Sequence, residues 1–249
     1  MEGSFFKFEI FSDYPEVVQG ISTRQYGNMS FQRGEIEKAK KNREQFIKDL
    51  EIKPENIIVA DLVHGQNIAL VDKSNVGKSA LLKSSVIENT DWLVTKEAGI
   101  FLMITVADCF PLMAYDPVKK IIGAAHLGWR GIIAGIIPSF IEKFKQNGSS
   151  LENLLIGLGP GICQRHFVVK TDVLNQFSYF DSSSVFIRNK DGYVDLRKAI
   201  INTLNKMGIR KNNLEVSNYC PVCNNHLFGS HRVEQENAPI SAAIIGLKG

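Results

Sequence analysis

The stretch from Phe101 to Gly131, FLMITVADCFPLMAYDPVKKIIGAAHLGWRG, most constrains what this chain can fold into. FLMITV, LMAYD and IIGAAH are short apolar runs bounded by turn residues, which is the pattern of buried strands. The first run leads into Ala107-Asp108-Cys109, and Pro111 just after it interrupts any hydrogen-bond ladder. The third ends at His126, before Leu-Gly-Trp-Arg-Gly. Two neighbouring strand segments therefore deliver a thiol and an imidazole to their ends. The pair admits three readings: a nucleophile with its base, two metal ligands, or two core side chains without chemistry.

The rest of the chain mixes strands and helices without regular alternation, so an α+β architecture fits better than a doubly wound sheet. FFKFEIF reads as a first strand, and GISTRQYGNMS as a loop. Glu35 to Leu50 has the composition and apolar spacing of a surface helix. NIIVADLVHGQNIALVD reads as two short strands meeting around His64 and Gly65. Residues 72–90 are polar and read mostly as loop. Their VGKSA segment is not a phosphate-binding P-loop, because the upstream glycine is missing. Trp129 to Gln146 has helical periodicity and stops at Asn147-Gly148. LLIGLGPGICQRHFVV reads as strand, Gly-Pro-Gly turn and strand, and Asp195 to Met207 as an amphipathic helix. ISAAIIGL closes the chain as a buried apolar segment. No linker or internal repeat divides residues 1–249, which points to a single domain.

Composition excludes several function classes. Hydrophobic residues are 44% and charged residues 22%, enough for a sizeable core without staples. The net charge of +3 and the absence of a dense basic stripe argue against nucleic acid. The short basic patches, such as Lys38, Lys40, Lys41 and Arg43, read as solvated surface. No apolar run is long enough to span a bilayer, and the N-terminus does not read as a secretory signal. Four cysteines in 249 residues do not make a disulfide framework, so reduced thiols and a cytoplasmic location are expected.

Three constellations could carry chemistry. His64, Cys109 and His126 match a catalytic zinc site with one open position. The same residues allow Cys109 as a nucleophile and His126 as base, with Asp108 orienting the histidine, acting as a separate acid/base, or merely capping a turn. Cys220, Cys223, His226 and His231, spaced C-x2-C-x2-H-x4-H, could close a structural zinc site, although the second half of the spacing fits poorly. Arg24, in the small-residue loop Ser22-Thr23-Arg24 with Gly27, could bind an anion, and Arg130 has the same ambiguity.

Taken together, GISTRQYG, LVHGQNIALVD, VADCFPLMAYD, GAAHLGWRGIIAGI, LGPGI, VDLRKAI and CPVCNNHLFGSHR resemble, in order, the laccase-domain family. Its members are also called multicopper polyphenol oxidases or laccase-domain purine nucleoside phosphorylases, and they include the peptidoglycan editing factors. The resemblance covers nearly the whole chain. It implies layered α/β/β/α packing, similar to the catalytic domain of the cytotoxic necrotising factor toxins. It implies that His64, Cys109 and His126 are zinc ligands. It also implies phosphorolysis of adenosine, inosine and methylthioadenosine, and deamination of adenosine. Asp108 is then the candidate proton shuttle, and Arg24, followed by Arg130, the candidate holder of phosphate.

This chain departs from the family pattern in two places. Val106 stands where the family has a threonine, which removes a hydroxyl near the site. Phe228-Gly229-Ser230-His231-Arg232-Val233 replaces a segment with one more aromatic, a tyrosine and a second arginine. Two other enzyme readings follow from the resemblance. A laccase would need several copper ions, and five histidines are too few to ligate them, so zinc is favoured over copper. A cysteine-dependent amide or ester hydrolase would need Cys109 as a free thiolate. A non-enzymatic binding protein is the third class. A small-molecule substrate, with no nucleic acid and no membrane, is the expected partner.

Overall fold

Apolar side chains alternate between the two faces of the long strands, and both faces are covered. The computed structural model describes residues 5–76, 80–84 and 86–249; Gly77 to Ser79 of the VGKSA segment lie outside these. One six-stranded sheet runs Phe5–Phe6 (β1), Val17–Ser22 (β2), Ser241–Leu247 (β15), Phe101–Val106 (β7), Ile57–Ala60 (β3) and Val86–Ile87 (β5) in spatial order. A second runs Leu214–Val216 (β14), Leu155–Leu158 (β10), Phe110–Asp116 (β8), Ile121–Leu127 (β9), Trp92–Thr95 (β6) and Ile68–Leu70 (β4). A small third sheet joins Val168–Val169 (β11), Asp191–Val194 (β13) and Val185–Arg188 (β12). The helices are Ile36–Asp49 (α1), Trp129–Ala134 (α2), Ile136–Gln146 (α3), Thr171–Asp181 (α4), Leu196–Lys206 (α5) and His231–Glu234 (α6).

The period of two along each strand sets the layers. Leu102, Ile104, Ala243 and Ile245 point from the first sheet toward Met113, Tyr115, Ile122 and Ala124 of the second. On the outer face of the first sheet, Phe101, Met103 and Ile244 pack against Phe46, Ile47 and Leu50 at the end of α1. On the outer face of the second, Leu112, Ala114 and Ala125 pack against Phe140 and Phe144 of α3 and Ile200 and Leu204 of α5. Helices thus flank two sheets packed face to face. Phe140, 1% exposed, alone contributes about 2 kcal/mol by leaving water.

Several expectations change. FFKFEIF is a strand only at Phe5–Phe6, because Phe6, Phe8 and Phe11 all turn into the inter-sheet core and stack edge-on, 5.0 and 5.9 Å between centroids. The expected single helix from Trp129 to Gln146 is two, broken where Gly135 takes a left-handed φ of +91°. The strands around His64 do not pair with each other: β3 lies in one sheet and β4 in the other. Arg43 is not solvated surface. It is buried, donates to the carbonyls of Met29 and Ala80, and stacks on Phe31. Pro111 does not break the ladder but sits in β8 opposite His126, where its carbonyl accepts the Gly159 N–H.

Candidate active site

The register of the second sheet brings the first two ligand candidates together. Pro111 pairs with His126 across β8 and β9, so Cys109, just ahead of β8, lies at the same sheet end as His126. His64 arrives on the loop that crosses from β3 to β4, that is, from one sheet to the other. The ligand atoms of His64, Cys109 and His126 all lie within 4.8 Å of one another. The two imidazoles meet edge to face, 4.8 Å between centroids. His126 is buried, Cys109 half-buried and His64 exposed, so the cluster opens on one side.

A carboxylate that the sequence reading passed over holds this arrangement. Asp91, fully buried before β6, accepts the Gly65 N–H at 2.8 Å and the Val63 N–H at 3.2 Å. Its backbone carbonyl accepts the His126 N–H at 2.9 Å, and its Oδ1 is 3.9 Å from His126 Nδ1. Burial alone would raise the Asp91 carboxyl, but His126 and the Gly65 amide hold it below the ordinary carboxylate range. One residue thus clamps the His64 loop and stands behind His126. The signal in the sequence was an acid directly ahead of the apolar strand WLVT, where a carboxylate must find partners.

The donor set fits a divalent transition metal on three counts. Two imidazoles and a thiolate are borderline-soft ligands suited to zinc. His126 Nδ1 is buried with no hydrogen-bond partner among the described residues and lies 3.9 Å from the Asp91 carboxylate, as in outer-shell support of a ligating histidine. A side chain at Gly128 would lie 3.3 Å from His64, 3.4 Å from Cys109 Sγ and 3.6 Å from His126, so glycine keeps the hollow between them open. Gly131 allows a second close approach: its missing Cβ would be 2.6 Å from the Gly65 carbonyl. Without a metal, burial opposes ionisation of Cys109, but His126 and His64 outweigh it and bring its pKa to about 6. Burial likewise opposes the charged form of His126, yet Cys109 and Asp91 raise its pKa to about 9.

Asp108 stands beside this cluster, with a left-handed φ of +72°. Its Oδ1 accepts the Ser230 hydroxyl and its Oδ2 the Arg232 N–H, both at 2.7 Å, so it caps α6 from 122 and 124 residues away. Burial nevertheless pushes its carboxyl above the ordinary range. His64, Cys109, His126 and Asp108 line one cleft of about 660 Å³, within the size range of small-molecule sites. Trp129, Arg130, Phe31, Arg33, Phe167 and Arg232 are among its other wall residues. Arg130 stacks on Trp129 at 4.4 Å and forms no ion pair among the described residues.

Arg24 is elsewhere. It is absent from the cleft walls and forms a bidentate pair with Glu234, at 3.0 and 2.7 Å, while its Nε donates to the Asn225 carbonyl. It clamps the segment that carries Ser230 and Arg232 rather than facing a ligand. The Val106 side chain points into the inter-sheet core, so the hydroxyl it lacks is not missing from the cleft, which Thr105 lines instead. Phe228 is likewise core, while His231 and Arg232 reach the cleft. The proposed C-x2-C-x2-H-x4-H cluster does not form. Cys220 and Cys223 meet Cys163 and His166, and His231 contacts Arg33 and the Gln235 carbonyl.

Fold and site define a layered mixed α/β protein whose cleft gathers two histidines and a cysteine from both sheets. The family model described as "Multi-copper polyphenol oxidoreductase laccase" matches residues 16–248, and the chain belongs to that family. It is 28% identical over 213 residues to the purine nucleoside phosphorylase YlmD of Bacillus subtilis, covering 84% of this chain and 77% of that one. It is 27% identical to a purine nucleoside phosphorylase of Bacteroides thetaiotaomicron over 90% of this chain and 89% of that one. It is also 27% identical to adenosine deaminase RL5 from an unknown prokaryotic organism, over 72% and 70%. Among solved structures, YlmD of Geobacillus stearothermophilus superposes with a TM-score of 0.93 at 25% identity, covering 100% of this chain and 98% of that one.

Proposed function

We propose that this protein is a zinc-dependent purine nucleoside phosphorylase that also deaminates adenosine, working in the cleft beside His64, Cys109 and His126. The observation that carries this reading is the convergence of those three donors, from β9 and from two loops that cross between the sheets, in the lining of a cleft of about 660 Å³. The names of the relatives over most of the chain support the substrate class. His64, Cys109 and His126 would hold the zinc, which when bound supplies a Lewis acid for an oxygen of water or substrate.

The chain's own residues supply the rest. Trp129 and Phe167 offer aromatic faces for a purine, and Arg130, which forms no ion pair among the described residues, offers its guanidinium for phosphate, while the neighbouring Arg33 pairs with Glu236 at 3.4 Å and Arg232 donates to the Val168 carbonyl. Arg24 takes no part in that role, being held by Glu234. In phosphorolysis a phosphate oxygen bonds to the ribose C1′ while the C1′–N9 bond breaks and its electron pair leaves with the purine. Asp108, whose raised pKa suits a proton donor, would protonate the leaving base at N7. Its two hydrogen bonds fix the carboxyl and leave lone-pair positions free. In deamination a water oxygen bonds to C6 of adenosine while the C6–N6 bond breaks, and the same carboxyl would carry a proton from that water to the departing ammonia. Zinc is preferred to copper because the cleft cluster has the donors for one ion and not the several that dioxygen reduction needs.

A second reading follows from the lowered Cys109 pKa. Without metal, Cys109 thiolate beside His126 has the arrangement of a cysteine hydrolase acting on amides or esters. Metal content separates the two. Cys109→Ala should lose the cleft zinc and nucleoside turnover together. A variant that keeps full turnover would show the site assignment to be wrong, and amide hydrolysis by metal-free wild type would favour the second reading.

A further inference from the structure

Every cysteine of the chain belongs to one of two clusters, and only one of these lies in the cleft. The other joins Cys163 and His166, on the loop after β10, to Cys220 and Cys223, on the loop after β14. We infer that Cys163, His166, Cys220 and Cys223 form a second, structural zinc site that ties these two loops together. This inference does not depend on what the cleft catalyses.

The distances carry it. All three sulfurs face the same atom, His166 Nδ1: Cys163 at 3.3 Å, Cys223 at 3.6 Å and Cys220 at 3.8 Å. Cys163 and Cys223 Sγ are 3.9 Å apart. With ordinary zinc–sulfur and zinc–nitrogen bonds, a tetrahedron has S···S edges of about 3.8 Å and S···N edges of about 3.6 Å. Four of the six edges of such a tetrahedron are therefore already close to these lengths, and the other two lie within 4.8 Å. Three thiolates and one imidazole close the coordination sphere, unlike the three-donor set in the cleft, and closure is the mark of a structural site.

The surroundings suit metal-bound thiolates. The Cys163 N–H donates to Cys220 Sγ at 3.3 Å, and Arg165 reaches Cys223 Sγ at 3.7 Å. Three thiolates on a divalent ion leave one net negative charge, which the Arg165 guanidinium faces. Each ligand pair is set by a short turn: the His166 N–H returns to the Cys163 carbonyl, and the Asn224 N–H to the Cys220 carbonyl. The site would also brace the cleft. Ile162, next to Cys163, donates its N–H to the Asp108 carbonyl, and the chain beyond Cys223 leads to Ser230 and Arg232, which hold the Asp108 carboxyl.

The test uses full-length Cys109→Ala protein, purified under reductant, in which this cluster is the remaining source of thiolates. Zinc per chain is measured by mass spectrometry, and the zinc is then exchanged for cobalt(II). The expected result is about one zinc per chain and a near-ultraviolet thiolate-to-cobalt charge-transfer band, both lost when Cys223→Ser is added. If that double variant does not fold, the Cys109→Ala protein is titrated with a mercurial, which should release zinc in step with blocked thiols. A zinc-free Cys109→Ala protein without the cobalt band overturns the inference, as does a Cys163–Cys223 disulfide in protein kept under reductant.

Discussion

His64 and Asp108 both hold left-handed backbone, at φ +59° and +72°, a conformation that non-glycine residues adopt at a cost of about 1–3 kcal/mol. Asp91 and the Ser230–Arg232 pair supply the hydrogen bonds that keep those two residues in place. Asp91→Asn is expected to weaken zinc binding in the cleft about 10- to 100-fold, as loss of an outer-shell partner does; competition with a zinc chelator measures it. Arg24 leads to a different expectation. Arg24→Ala should leave the phosphate dependence of turnover unchanged and lower stability by about 2 kcal/mol in denaturant unfolding. Arg24 is the main reason the Glu234 carboxyl is held at about 2, below its ordinary 4.5. Its contribution is complete above about pH 4.5 and disappears as pH falls through about 2, so the variant's deficit should shrink over that acid range. At this scale the candidates His64, Cys109 and His126, which the fold brings within 4.8 Å of one another, were legible in the sequence, because Cys and His at strand ends are conspicuous. Arg24 was misread and Asp91 missed because partners 210 and 26 residues away leave no local trace.

The elements explain why AAH-L-GWRG reads as a unit. β9 ends at His126 and Leu127, and Gly128 opens both the hollow and α2. Trp129 and Arg130 face the cleft, and Gly131 lets α2 rest on the His64 loop. Gly131→Ala places a methyl carbon 2.6 Å from the Gly65 carbonyl, so α2 or the His64 loop must move. Reduced zinc affinity in the cleft, with the far-ultraviolet circular dichroism unchanged, is the expected outcome; unaltered affinity would show that this contact does not position His64. Several strands were readable from their apolar runs, while the closing ISAAIIGL, legible only as a buried apolar segment, is β15 in the middle of the first sheet. What the runs could not show was pairing. The two strands flanking His64 read in sequence as meeting around it, yet they belong to different sheets, and that separation carries His64 from one sheet to the other.

Across the whole molecule, the facing sheets act as a frame that brings distant segments to one end. The cleft gathers residues from Ser30 to Ile240, and the cysteine cluster brings together the loops after β10 and β14. The family was legible because its motifs are short and ordered along the chain. The second cluster was only half legible, since Cys163 and His166 sit in a segment that reads as a turn and a strand. No helix among the described residues is long and apolar enough to cross a membrane. The central claim is that the cleft turns over purine nucleosides with zinc bound. Zinc-loaded protein incubated with adenosine, with and without phosphate, and its purines separated and quantified, tests this most directly. Adenine formed only with phosphate, together with inosine formed in its absence, is the expected result. Adenosine unchanged under both conditions, in protein whose cleft zinc is confirmed, would contradict it.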